Sequence, residues 1–281
     1  FTFDERGRIW LCENLNYETR RSDLYKLGPQ GRIVILTDTD GDGEMDERKV
    51  FKDKIMFPTG IALGHGGVWV GSPPNLLFIP DRNRDDVPDA EPEIKLDGWG
   101  RQDRHETLNS FLWGPDGWLY GTHGVFTHSN VGKPGAPDSE RQKINAGVWR
   151  YHPLNEKFEV FAWGTSNPWG LDFDENGQAF VTACVIPHMF HIIQGGRYHR
   201  QAGRHFNPFV YDDIKTIADH RHPSAHGGAR FYLADQFPEK YRKKLFMCNI
   251  HMHGVLVDEI KRKGSGYVAS DPEYGGTFSM S

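Results

Sequence analysis

A short pattern returns five times along this chain: a glycine or a charged turn, then an apolar strand that ends in small or polar residues. The copies are Gly7-Arg8-Ile9-Trp10-Leu11-Cys12, Gly67-Val68-Trp69-Val70-Gly71, Gly117-Trp118-Leu119-Tyr120-Gly121, Gly177-Gln178-Ala179-Phe180-Val181-Thr182 and Lys244-Leu245-Phe246-Met247-Cys248. From Ile9 to Val68, Trp118, Ala179 and Leu245 the steps are 59, 50, 61 and 66 residues, a loose period suited to one four-stranded propeller blade with its loops. Turns such as Gly114-Pro115-Asp116-Gly117 and Asp174-Glu175-Asn176-Gly177 favour tight hairpins between the copies. The sequence therefore predicts an all-β chain, a single β-propeller domain over residues 1–281, with one helical turn at Pro238–Lys244 begun by Pro238.

A repeat spread over 281 residues argues for one continuous architecture. Only 37% of residues are apolar and no run approaches the roughly 20 needed to cross a bilayer, so this segment is read as carrying no membrane span. It opens on Phe1 without a basic and apolar leader and closes in a loop-like tail, which reads as a fragment of a longer protein. The net charge of -5 comes without a basic stripe, which counts against nucleic acid and leaves a weakly polar small molecule as the expected partner. Cys12, Cys184 and Cys248 lie in no C-x-x-C or C-x-x-C-H pattern; a disulfide framework and a covalent haem are excluded from this segment, and the three are expected to be buried strand residues.

Three stretches carry chemistry. Asp38-Thr39-Asp40-Gly41-Asp42-Gly43-Glu44-Met45-Asp46 alternates carboxylates around a glycine turn, the first half of a calcium loop, although position twelve is Lys49. Asp38, Asp40, Asp42, Glu44 and Asp46 are the candidate ligands, and a decayed copy runs from Asp81 to Asp89. Fourteen histidines, nine of them between His188 and His253, form the second. With the five repeated strands read as the innermost of their blades, Glu13, Asn14, His123, Cys184, Asn249 and His251 would ring one mouth of a central channel. Histidine spacings allow a transition metal as well, with His188 near His191 and His251 and His253 on one strand face. The third is the polar stretch from Gly98 to Gly117, where His105 is placed to act as a general base.

The run His105 to Tyr120, with Trp163 to Gly177 and Gly195-Gly196-Arg197-Tyr198, resembles the soluble glucose/sorbosone dehydrogenases. That resemblance implies a six-bladed propeller, of which about five blades are recognisable here, holding pyrroloquinoline quinone and calcium. It implies that His105 is the base and that Asn167 contacts the cofactor. The family's Arg-Asn-Pro-x-Gly motif falls on Ser166-Asn167-Pro168-Trp169-Gly170, so its Arg is replaced, and a family Lys is missing near His251 and Met252. Arg230, His226 and His251 are the candidate substitutes on the cofactor.

Over nearly its whole length the chain also resembles a group of planctomycete and verrucomicrobial proteins called membrane-bound dehydrogenases. The matching residues are Phe3 to Trp10, Glu13-Asn14-Leu15-Asn16-Tyr17, Asp38 to Asp46, Phe57 to Gly60, Leu96 to Gly100 and Ala225 to Arg230. This implies a periplasmic or cell-surface protein, with c-type haem only in a further domain or a cytochrome partner. The expected function is a sugar or polyol dehydrogenase passing electrons to a quinone or haem acceptor. Two other readings stay open: a calcium-dependent lactonase-type hydrolase using Glu13, Asn14, Asn167 and Asn249, and a non-catalytic carbohydrate- or protein-binding propeller.

Overall fold

The structure, a computed structural model, describes residues 1–15, 17, 23, 25–184, 187–207, 212–223 and 225–279; Asn16 of the matching motif lies outside them. The described chain is built of strands, with two short 3-10 turns at Asp138–Glu140 and Glu239–Tyr241. The second follows Pro238, where a helical turn is expected.

By internal contacts the chain forms two compact units, Phe1–Phe111 with His128–Gln142, and Leu112–Thr127 with Lys143–Ser281. The first holds two four-stranded antiparallel sheets: β1 (Thr2–Phe3), β2 (Ile9–Glu13), β3 (Gly31–Thr37) and β4 (Glu47–Ile55), then β5 (Gly60–Leu63), β6 (Gly67–Ser72), β7 (Asn75–Pro80) and β8 (Glu93–Leu96). β9 (Asn109–Trp113) carries the chain across to β10 (Leu119–His123); β11 (Ser129–Val131) and β12 (Gln142–Ile144) form a separate ribbon. In the second unit β10 continues through β13 (Gly147–His152) and β14 (Lys157–Thr165). A three-stranded sheet follows, β15 (Asn167–Phe173), β16 (Ala179–Cys184) and β17 (Met189–Ile192), while β18 (Arg197–Arg200) returns parallel to β14. The last sheet is β19 (His226–Phe231), β20 (Leu245–Asn249), β21 (Gly254–Lys263) and β22 (Gly266–Ser270), with β23 (Thr277–Ser279) on β21.

Each of the five recurrent segments is one strand of one sheet: β2, β6, β10, β16 and β20. In β6, β10 and β16 the runs are apolar because both faces are covered. β16 shows this directly. Ala179, Val181 and Ala183 pack with Tyr120, Val148, Phe161 and Leu171 on one side, and Phe180 packs with Phe231, Leu245 and Met247 on the other. In the first unit Val68 and Val70 of β6 join Trp10, Ile33, Ile35 and Leu77 in one cluster.

The repeated strands are second in their sheets, not first, which corrects the expectation that they are the innermost. In the second unit two first strands approach closely: a Cβ on Gly170 of β15 would overlap the backbone of Gly228 in β19. Glycine at this close approach is a steric requirement. One cysteine also departs from expectation, since Cys248 is exposed while Cys12 and Cys184 are half-buried; all three are free thiols.

Candidate functional sites

In the first unit the loop ahead of β9 carries His105. The Tyr17 hydroxyl meets its Nδ1, the two rings stand edge to face at 5.4 Å, and the His105 backbone N–H donates to Asp103 Oδ1 at 3.2 Å. Arg104 fixes Tyr17 by donating from Nη1 to its carbonyl at 2.7 Å and by lying over its ring at 5.2 Å. The next residue, Glu106, is buried, and its Oε2 has no hydrogen-bond partner. Burial, aided by the charge of Asp103, pushes its carboxyl up to about 8. An exposed imidazole oriented by a tyrosine, beside a carboxyl that titrates near neutrality, is an arrangement able to exchange protons with a substrate hydroxyl. Glu106 lay within the polar stretch from Gly98 to Gly117, but only its burial distinguishes it from a surface acid.

The hairpin between β3 and β4 holds the acidic loop. Asp38 accepts the Gly41 and Gly43 N–H groups at 2.7 and 2.8 Å, Asp40 accepts that of Asp42, and Asp42 accepts that of Glu44. The carboxylates of Asp38, Asp40 and Asp42 lie within 4.8 Å of one another. Asp46 turns back instead to the Thr39 N–H and hydroxyl at 2.8 and 2.9 Å, which hold its carboxyl below the usual range. In the decayed copy between β7 and β8 a protein cation has moved in: Arg8 clamps Asp86 with two bonds of 2.6 and 2.8 Å.

Among the expected ring residues, Glu13, His123 and Asn249 have side chains committed to the protein. In the first unit Glu13, on β2, is held by Arg48 at 2.6 and 2.7 Å, and Asn14 uses its carbonyl on the Tyr17 N–H. In the second, His123 is fully buried with Nδ1 donating to the Gly124 carbonyl at 2.9 Å. Cys184 ends β16 opposite Asn167. Asn249 donates to the Pro223 carbonyl and accepts the His251 and Met252 N–H groups at 3.1 and 2.9 Å. His251 and His253 stand exposed in the turn after β20 rather than on a strand face. Of the residues read as lactonase ligands, the Asn167 and Asn249 side chains thus already accept or donate within the fold, as does Glu13.

Pyrroloquinoline quinone is a tricarboxylate and needs cations. At the motif position Ser166 is buried and donates to Gln201, and Asn167 Oδ1 accepts the Val125 N–H at 3.0 Å. Arg200, in register with Thr165, spends Nη1 on Asn145 at 2.9 Å. Arg230 is on an exposed face with Asp172 at 3.4 Å. These side chains do not fit the quinone in the way the family motif does.

The histidine-rich stretch does converge, on partners the spacing does not suggest. His188, ahead of β17, His220 and His222, ahead of β19, and Asp258 of β21 bring their ligand atoms within 4.8 Å of one another. His226 stacks on His188 with centroids 4.8 Å apart and donates from Nδ1 to the Ala183 carbonyl at 3.1 Å; burial, then the neighbouring His188, pushes it down to about 4. His191 goes elsewhere, to Gln178 at 3.0 Å. Two signals were present: His220 and His222 alternate on one side of an extended segment, and Asp258 interrupts the apolar run Val255-Leu256-Val257.

Residues 1–278 match the model of a family described as a domain of unknown function, DUF7133. The chain belongs to that family. No curated protein matches it. Among solved structures, the DUF7133 chain is similar to a Thermus thermophilus protein assigned as an oxidoreductase (glucose dehydrogenase), at 17% identity and TM-score 0.60 over 95% of this chain and 80% of that one. A pyranose dehydrogenase PQQ domain from Coprinopsis cinerea gives 12% identity and 0.58 over 96% and 77%. The PQQ-bound aldose sugar dehydrogenase of Streptomyces coelicolor gives 14% and 0.56 over 96% and 85%. At such identities the likeness is one of fold, and the DUF7133 chain has the β-propeller fold of these dehydrogenases.

Proposed function

We propose that residues 1–281 form a propeller domain of an oxidoreductase that acts on CH–OH groups of a sugar or polyol. The observation that carries this reading is His105, held through Nδ1 by Tyr17 and preceding a buried carboxyl, on a fold similar to that of sugar dehydrogenases. Oxidation of an alcohol to a carbonyl releases the hydroxyl proton and, from the carbon, a hydride that carries the second hydrogen with both electrons. His105 receives the proton and Tyr17 keeps the imidazole oriented. The hydride passes to a quinone-type acceptor, which the Ser166–Gly170 segment does not hold in the familiar way, and the electrons go on from it one at a time to a haem-type acceptor. A calcium ion at Asp38, Asp40 and Asp42 serves the β3–β4 hairpin as a structural ion. A periplasmic or cell-surface location and a cytochrome partner accord with this chemistry.

His105 is exposed, so His105→Ala is expected to fold normally. In the full-length protein, with sugars or polyols and an artificial acceptor, it should lower kcat/KM by about 100-fold or more, with partial recovery on adding imidazole. Unchanged turnover in His105→Ala contradicts the assignment.

A further inference from the structure

We propose that His188, His220, His222 and Asp258 bind one divalent first-row transition ion, such as zinc or iron, at a site separate from the acidic calcium loop. Asp258 is fully buried in β21. A buried carboxylate is costly unless positive charge or hydrogen bonds compensate it. Three imidazole nitrogens surround it: His188 Nε2 is 2.8 Å from Oδ2, while His222 Nε2 and His220 Nε2 are 3.2 and 3.3 Å from Oδ1.

The tautomers decide what these contacts can be. His220 Nδ1 lies 2.8 Å from Asp219 Oδ1, so the proton of a neutral His220 sits on Nδ1. Its Nε2 then presents a lone pair to the Asp258 carboxylate and to His222 Nε2, 3.0 Å away. The lone pair of His220 Nε2 and the Asp258 carboxylate, 3.3 Å apart, repel one another, whereas a cation between them turns each into a ligand. Asp219 supplies the carboxylate–histidine–metal relay found around bound ions. Ligands at about 2.0–2.1 Å in a tetrahedral shell stand about 3.3 Å apart; the contacts of the three imidazoles with Asp258 and of His220 with His222 run from 2.8 to 3.3 Å, and the four ligand atoms lie within 4.8 Å of one another. Three imidazoles with one carboxylate suit zinc or iron rather than calcium, which takes oxygen ligands. His188 is fully buried, whereas His220 is partly exposed and the half-exposed Asp271 Oδ1 lies 3.7 Å from its Nε2. One side of the ion would therefore be open to an exchangeable ligand.

The test is elemental analysis of the full-length protein, expressed without a polyhistidine tag and purified without chelator. About one zinc or iron per chain is expected. His222→Gln and Asp258→Asn should lower that content at least tenfold, while His253→Gln, in the exposed turn, should leave it unchanged. Should Asp258→Asn not fold, His220→Gln and Asp219→Asn on the open side serve in its place; Asp219→Asn should weaken Co2+ binding by 10- to 100-fold. Metal-free protein should take up one Co2+ with the visible spectrum of a four- or five-coordinate site, undisturbed by excess Ca2+. Transition metal at background level together with no Co2+ uptake overturns the proposal, as does metal content unchanged in His222→Gln. Either result would make the cluster a hydrogen-bonded network in which a protonated histidine balances Asp258.

Discussion

Glu106 sits in an environment that its sequence neighbours do not suggest. Its carboxyl, ordinarily near 4.5, is pushed up to about 8 by burial, so the folded state holds this proton more tightly than the unfolded chain does. The resulting stabilisation is complete below pH 4.5 and is lost as pH rises through 8. Between those values wild-type protein should lose on the order of 3–5 kcal/mol from this group. Glu106→Gln should match wild type near pH 5 and exceed it in stability at pH 9, as read by denaturant unfolding. Parallel pH profiles for the two proteins contradict the assignment. His105 was legible in the sequence because it lies in a polar loop ahead of a Gly-Pro-Asp-Gly turn. Glu106 was not, since a sequence does not show which of two adjacent polar residues turns inward.

At the scale of the element, the two acidic hairpins show how alike sequences diverge. In β7–β8 the guanidinium of Arg8 occupies Asp86, whereas β3–β4 directs three carboxylates to within 4.8 Å of one another and folds its turn through their bonds to backbone N–H groups. Calcium should accordingly stabilise the protein through the first hairpin alone. At a hundredfold excess over Kd the gain is about 2.7 kcal/mol, and each kcal/mol raises Tm by about 2–4 °C in a domain of this size. Asp40→Asn should abolish the calcium-dependent rise and Asp86→Asn should not. A rise that survives Asp40→Asn contradicts the placement. The carboxylate pattern was readable from the alternation of Asp and Gly; the cation on the second loop was not, because Arg8 and Asp86 lie 78 residues apart.

For the molecule as a whole, the β-propeller class was readable because burial writes short apolar runs into β2, β6, β10, β16 and β20, on both faces in β6, β10 and β16. Their rank within each sheet was hidden. First strands such as Asn167-Pro168-Trp169-Gly170 and His226-Gly227-Gly228 give up bulk so that Gly170 and Gly228 can approach, and therefore carry no apolar signature. The histidine–aspartate cluster was half visible for a similar reason: His188 stood out by composition, but its partners come from segments joined only by the fold. The central claim, oxidation at a CH–OH carbon, is tested most directly by steady-state turnover of the full-length protein on a sugar or polyol. The comparison is between substrate with hydrogen and with deuterium at the reacting carbon. Acceptor reduction in step with carbonyl formation, slowed by deuterium, is expected; no acceptor reduction across a broad panel of sugars and polyols would rule out oxidation at a CH–OH carbon.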